Sequence, residues 1–125
     1  MSLKDQLHKL LQESDHQLMA SQPEVSMPII ERMYKKMQKG VTFADIRTAE
    51  NVVTNGHHRY LAARLLGVYI GSQDSELVAA KVVRTWDSVM IVDVDFDKPE
   101  EIDRHNAYDA KCMDMKLEQF LELIG

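Results

Sequence analysis

Leu3, Leu7, Leu10, Leu11 and Leu18 recur at three- and four-residue steps, and Ser2 with Asp5 makes a capping pair. That pattern predicts an amphipathic helix through the first twenty residues, ended by Gln22-Pro23, as an N-terminal element spanning 1–22. Pro28 suits the first turn of a second helix, in which Ile29, Ile30, Met33 and Met37 share one face and Arg32, Lys35, Lys36 and Lys39 another. Gly40 marks its end. Beyond it the period shortens, and the runs Thr42 to Arg47 and Asn51 to Thr54 predict two paired strands separated by Thr48-Ala49-Glu50.

Asn55-Gly56 is a good hairpin turn by composition, but Leu61-Ala62-Ala63-Arg64-Leu65-Leu66, closed by Gly67, is stronger helix material, so a helix is predicted there. Residues 69 to 76 predict a loop. Leu77 to Trp86 is apolar without clear periodicity, which leaves helix and strand both open. Met90, Val92, Val94 and Phe96 alternate with Ile91, Asp93, Asp95 and Asp97, predicting a strand with the first set buried and an acidic face toward its end. Pro99 with Glu100 and Glu101 opens another helix at its positive dipole end, and a last one carries Leu117, Phe120, Leu121 and Ile124 on one side. The fold class predicted is α+β, with a short mixed sheet packed by several helices and one compact domain over 23–125 behind the N-terminal helix.

Composition narrows the function. The chain has 125 residues, 45% of them hydrophobic, which is enough for one core without disulfides or a structural metal. Its formal net charge of −5, from 15 Lys+Arg and 20 Asp+Glu, argues against coating nucleic acid or an anionic membrane by charge alone, so any phosphate site must be local. Cys112 is the single cysteine, which excludes an intrachain disulfide and a cysteine zinc framework. With no apolar run near bilayer length and no greasy stretch after Met1-Ser2-Leu3-Lys4-Asp5, the expectation is a cytoplasmic chain with no membrane partner.

The chemistry concentrates at the start of the third helix. Val52 to Gly67 runs strand, glycine turn, helix, with His57, His58 and Arg59 in the first turn. N–H groups at a helix start lack intrahelical partners and favour phosphate or carboxylate. Gly56 lets a ligand approach the backbone, Arg59 can grip a phosphate through two parallel N–H bonds, and His57 or His58 can donate a further bond or move a proton near neutral pH. Three cationic or titratable groups crowded against a helix N-terminus oppose its dipole unless an anion relieves them.

Elsewhere the signals are structural. Asp93, Asp95 and Asp97 have a spacing that hard cations accept, but a solvated, charge-guarded strand end explains them better, and an EF-hand starting at Asp93 fails at Lys98 and Arg104. Adjacent His57 and His58 diverge on a helix and do not make a zinc pair, so no metal ligands are predicted. His8, His16 and His105 are expected at the surface, and Arg32, Lys35, Lys36 and Lys39 as a solvated basic face. The eight methionines are expected as core filler and Trp86 as a packing anchor. The leucine stripe of the first helix either covers the domain's own core or pairs with a second copy, and both stay open.

The run Asn55-Gly56-His57-His58-Arg59-Tyr60-Leu61-Ala62-Ala63 resembles the Gly-x-[His/Arg]-Arg helix-start signature of the ParB/sulfiredoxin superfamily, especially its short ParB-like nuclease-type domains. The similarity extends over about residues 25 to 110, through the order helix, strand, strand and signature upstream and through Trp86-Asp87, the strand to Asp97 and Pro99 to Asp109 downstream. The resemblance implies a small α/β fold whose signature helix start holds nucleotide phosphates, ATP in sulfiredoxins and CTP in partition proteins, with nuclease activity attributed to other members. Carried over by position, Asn55, Gly56, His58 and Arg59 become phosphate-binding residues and His57 the acid/base candidate.

His57 stands where sulfiredoxins place their reactive cysteine, so sulfinic-acid repair is not implied. Partitioning is not implied either, because it needs a helix-turn-helix region and a dimerisation domain after this core. Two functions follow as expectations. One is a domain binding a nucleotide or nucleic-acid phosphate, with phosphodiester cleavage through His57 and with nucleoside triphosphate or Mg²⁺ as candidate cofactors. The other is a non-catalytic nucleotide-sensing or protein-interaction module.

Overall fold

A computed structural model describes residues 1–13, 15–78 and 82–125. The described chain runs α1 (Leu3–Gln12), β1 (Glu24–Ser26), α2 (Met27–Gln38), β2 (Ile46–Ala49), β3 (Val52–Asn55), α3 (His57–Leu66), β4 (Ser72–Asp74), a 3-10 turn (Trp86–Ser88), β5 (Met90–Val92), α4 (Pro99–Cys112) and α5 (Leu117–Ile124). The fold is α+β. A mixed three-stranded sheet has the order β3-β2-β4, with β2 antiparallel to β3 and parallel to β4, and β1 pairs in parallel with β5. No helix among the described residues is long and apolar enough to cross a membrane.

The main core gathers the inward faces of these elements. Leu7, Leu10 and Leu11 of α1 join Val25, Ile30, Ile46, Val53, Leu61 and Trp86 in one buried cluster. The leucine stripe of α1 therefore covers the chain's own core. Trp86 is 2% exposed, donates its indole N–H to the Leu18 carbonyl at 2.8 Å and stacks on Tyr60 with ring centroids 5.0 Å apart. A smaller cluster of Val41, Ala110 and Phe120, with Phe43, Met113, Met115 and Ile124 against it, joins α4 and α5 to the loop after α2.

Several expectations hold at the level of elements. α2 carries Pro28 in its first turn, and Gly40 follows it at φ +87°. Helix α3 does form after Gly56, and Gly67 closes it with its N–H on the Ala63 carbonyl. The two expected strands do pair, as β2 and β3, but β2 begins only at Ile46 and takes in Thr48 and Ala49, so the turn falls at Glu50 and Asn51, both at positive φ (51° and 63°). In α4 the Glu101 carboxylate accepts the Lys98 N–H at 3.1 Å, satisfying a helix-start donor.

Other expectations are corrected. α1 stops at Gln12, because the chain after it must reach the sheet: Met19 bridges Val52 and Ala20 bridges Arg84. Residues 72–74, expected in a loop, form β4, whose side chains are all exposed and which is held by main-chain pairing to β2. β5 ends at Val92 instead of running to Asp97, and the expected burial of its apolar alternation fails at three of four positions, Val92 alone being partly buried. Met90, Val94 and Phe96 are exposed, while Ile91 packs on the core. The reason is Arg32, which draws Asp95 (2.5 Å) and Asp97 (3.1 Å) onto α2 and leaves the alternate side chains outward.

The basic face of α2 is solvated at Lys35 and Lys39 as expected, but Arg32 is tied to those two carboxylates and Lys36 is 6% exposed with its ammonium 2.7 Å from Asp109. His16 is not a surface group; its Nε2 donates to the Leu10 carbonyl at 2.8 Å and its Nδ1 accepts the Tyr60 hydroxyl at 3.0 Å. Of the undecided stretch from Leu77 to Trp86, residues 79–81 lie outside the described residues, and Arg84 makes the bridge to Ala20.

Candidate functional site

Gly56 is the N-cap of α3 and sits at φ +93°, a left-handed conformation that costs an L side chain roughly 1–2 kcal/mol. Space excludes a side chain as well. A Cβ there would lie 2.8 Å from Nη2 of Arg59 and 2.8 Å from a methyl of Ile46. The glycine thus lets the guanidinium of Arg59 fold back against the backbone at the helix start, the place where sequence reasoning puts an anion.

The two imidazoles point inward and act as acceptors. Nε2 of His57 accepts the Ser21 N–H at 3.0 Å, and Nε2 of His58 accepts the Ser26 N–H at 2.9 Å. The adjacent rings diverge, as helical geometry requires, and so reach one amide before β1 and one in its last residue. His57 is 2% exposed with its ring 5.8 Å from that of Trp86, and His58 meets the Phe96 ring edge-on at 5.9 Å. Burial pushes the His58 imidazole down to about 4, against a partial opposing pull from Asp97. With both Nε2 atoms accepting backbone N–H groups and both rings turned inward, Arg59 is the permanent cation that the first turn of α3 presents.

Arg59 is half-buried. Its Nη1 donates to the carbonyls of Ala44 and Asp45, both at 3.2 Å, and no carboxylate among the described residues lies within ion-pair distance. Burial first, then the nearby positive charge of Arg47, lower its pKa, and Asp45 pulls the other way. Arg47 stands opposite Asn55 in the β2–β3 register; both are exposed. Sequence reasoning missed Arg47, since only the hairpin register brings it to the helix start. Two guanidiniums close to one helix N-terminus repel each other and the dipole, an arrangement that an oxyanion relieves.

Arg59 also forms one edge of a cleft of about 530 Å³ between α2, α4 and the loop 41–45. Ile29, Met33 and Phe43 supply apolar wall, and the buried pair Lys36–Asp109 lies among its lining groups. Neither His57 nor His58 lines it. No sequence signal foretold this cleft, because its walls come from segments far apart along the chain, on α2 and α4.

The remaining candidates serve the fold. Asp93 pairs with Lys4 at 3.0 Å, Asp95 and Asp97 with Arg32, and no group of three His, Cys, Asp or Glu among the described residues is placed to hold a metal ion. His8 is exposed, His105 lies 3.8 Å from Asp97 at the cleft, and Cys112 is a free thiol lining the same cleft. No family model, no curated protein and no solved structure matches this chain.

Proposed function

We propose that the domain binds a phosphate-bearing ligand, a nucleotide or a nucleic-acid phosphate, with its anion at Arg59 beside the start of α3. The observation that carries this reading is the half-buried guanidinium of Arg59, which has carbonyl partners but no carboxylate within ion-pair distance among the described residues, next to Arg47 and the positive end of the α3 dipole. A half-desolvated cation with only a distant carboxylate loses part of its hydration, and an oxyanion received in two parallel N–H bonds offsets that cost. The resemblance of Asn55 to Ala63 to the ParB/sulfiredoxin signature supports the same place, and with it a ParB-like arrangement of β2, β3 and α3.

Binding without bond cleavage is the form of this reading that the geometry favours. His57, the acid/base candidate, is buried and its Nε2 is already an acceptor for a backbone N–H, so it offers no proton acceptor toward the cleft. His58 is likewise engaged with Ser26. The contribution of both rings is to hold the chain that frames Arg59.

The test is thermal unfolding and turnover measured with nucleotides and short DNA and RNA, with and without Mg²⁺. The expected result is that a phosphate-bearing ligand raises the unfolding midpoint, that Arg59→Ala abolishes the rise, and that no form of the protein consumes the ligand. Turnover lost in His57→Ala would restore the nuclease reading, and a ligand response unchanged in Arg59→Ala would remove Arg59 from the site.

A further inference from the structure

The charges of the cleft limit what can enter it. Of its three permanent cations, Arg32 is held by Asp95 and Asp97, with a second N–H to Asp95 at 2.9 Å, and Lys36 is held by Asp109 at 2.7 Å. Asp97 and Asp109 themselves line the cleft. Among the described residues Arg59 alone of these cations has no carboxylate within ion-pair distance, and Arg47 adds positive charge at that end. A chain of phosphates running inward from Arg59 would bring successive negative charges toward Asp97 and Asp109 with no cation left to receive them, which is unfavourable in a partly desolvated site.

The rest of the cleft has the opposite character. Its volume of about 530 Å³ suits a small organic molecule. Ile29 and Met33 of α2 give an apolar wall, while Phe43 of the loop and Tyr108 of α4 give two aromatic rings, that of Tyr108 on a residue 69% exposed. A planar, weakly polar group can stack on such rings whatever its substituents, and Thr42 offers a hydroxyl beside them.

From this division we infer that the ligand carries one phosphate group on a planar body, as a nucleoside monophosphate does, with the phosphate at Arg59 and the body in the cleft between α2 and α4. The inference rests on the phosphate-binding reading above and narrows it. A lone phosphate lacks the part that the cleft receives, a triphosphate exceeds the available positive charge, and a nucleic-acid strand would need a cationic track that a chain of net charge −5 does not display.

Isothermal titration of the full chain with the four ribonucleoside monophosphates, their triphosphates, inorganic phosphate and a short single-stranded DNA separates these outcomes. At least one monophosphate should bind about tenfold or more tighter than inorganic phosphate and than its own triphosphate. Tyr108→Ala, at an exposed helix position and with its fold checked by circular dichroism, should weaken the monophosphate about tenfold and leave inorganic phosphate unchanged. Arg59→Ala should lose both, and Arg59→Lys should recover part of the affinity.

A triphosphate or the DNA binding as tightly as any monophosphate, or a Tyr108→Ala variant with unaltered affinity, overturns the inference and leaves the phosphate reading standing. Silence from every phosphate-bearing probe overturns both.

Discussion

Gly56 meets two independent constraints, a backbone at φ +93° and a guanidinium and a methyl 2.8 Å from where a Cβ would stand. Gly56→Ala should therefore cost about 2–4 kcal/mol, the sum of left-handed strain and displaced packing, as read by urea unfolding at neutral pH. A loss under half a kcal/mol would mean that Arg59 gives way freely. His58 makes a second prediction at this scale, with a definite sign. Its folded pKa, about 4, lies below the usual 6.5, so the unfolded chain takes up the proton first as pH falls. The stabilisation is complete above pH 6.5 and is lost between pH 6.5 and 4, by roughly 3 kcal/mol. His58→Gln keeps an acceptor for the Ser26 N–H but does not titrate. Denaturation curves across this window should show a shallower decline for the variant, and parallel curves would refute the assignment.

Which residues stand at the start of α3 was legible in the sequence, but the direction their side chains face was not. Gly56 and Gly67 bracket a helix by local rules that need no tertiary information. The His-His pair has no local rule to tell an outward cation from an inward acceptor. That choice is made by the amides of Ser21 and Ser26, more than thirty residues earlier.

Among elements, α2 and α4 are joined by Lys36 and Asp109, a pair with side-chain exposures of 7% and 12% that also places the ammonium 5.8 Å from the centre of the Phe120 ring. Removing one partner strands the other's charge, so Lys36→Met should destabilise by about 3–5 kcal/mol, whereas Lys36→Met with Asp109→Leu should recover most of that loss. A double-mutant cycle on unfolding free energies measures it, and strict additivity would mean that the pair is not coupled. Periodicity placed Lys36 on a solvated face because a helical wheel carries no record of a carboxylate 73 residues away. It failed at β5 for a related reason: Arg32 is a stronger organiser of residues 93–97 than their own alternation. β4 was invisible since Ser72, Gln73 and Asp74 bury nothing and pair through their peptide groups, with one side-chain bond from Gln73 to Asp45.

At the level of the molecule, α1 belongs to the same core as α2 and α3, through Leu7, Leu10 and Leu11 against Ile30 and Leu61. Leu7 is fully buried, and Leu7→Ala should cost about 2–5 kcal/mol while unfolding stays a single transition seen equally by helix signal and by Trp86 fluorescence. Two separated transitions would show α1 to be an independent appendage. The α+β class, the helix count in the second half and the helix start at Gly56 follow from periods and caps. The cleft follows from where α2 and α4 come to lie, which depends on contacts between distant segments and so escapes any reading along the chain.

The inward pair at positions 57 and 58 takes its shorter bonds from peptide nitrogen at positions 21 and 26, with the Ser21 hydroxyl farther from the first ring at 3.5 Å. Drift at those two sites leaves this grip untouched so long as an amide proton remains. Only an imino acid lacks one, so proline is the single residue whose arrival at either site would unfasten β1 from the helix that carries Arg59, whatever its size or polarity.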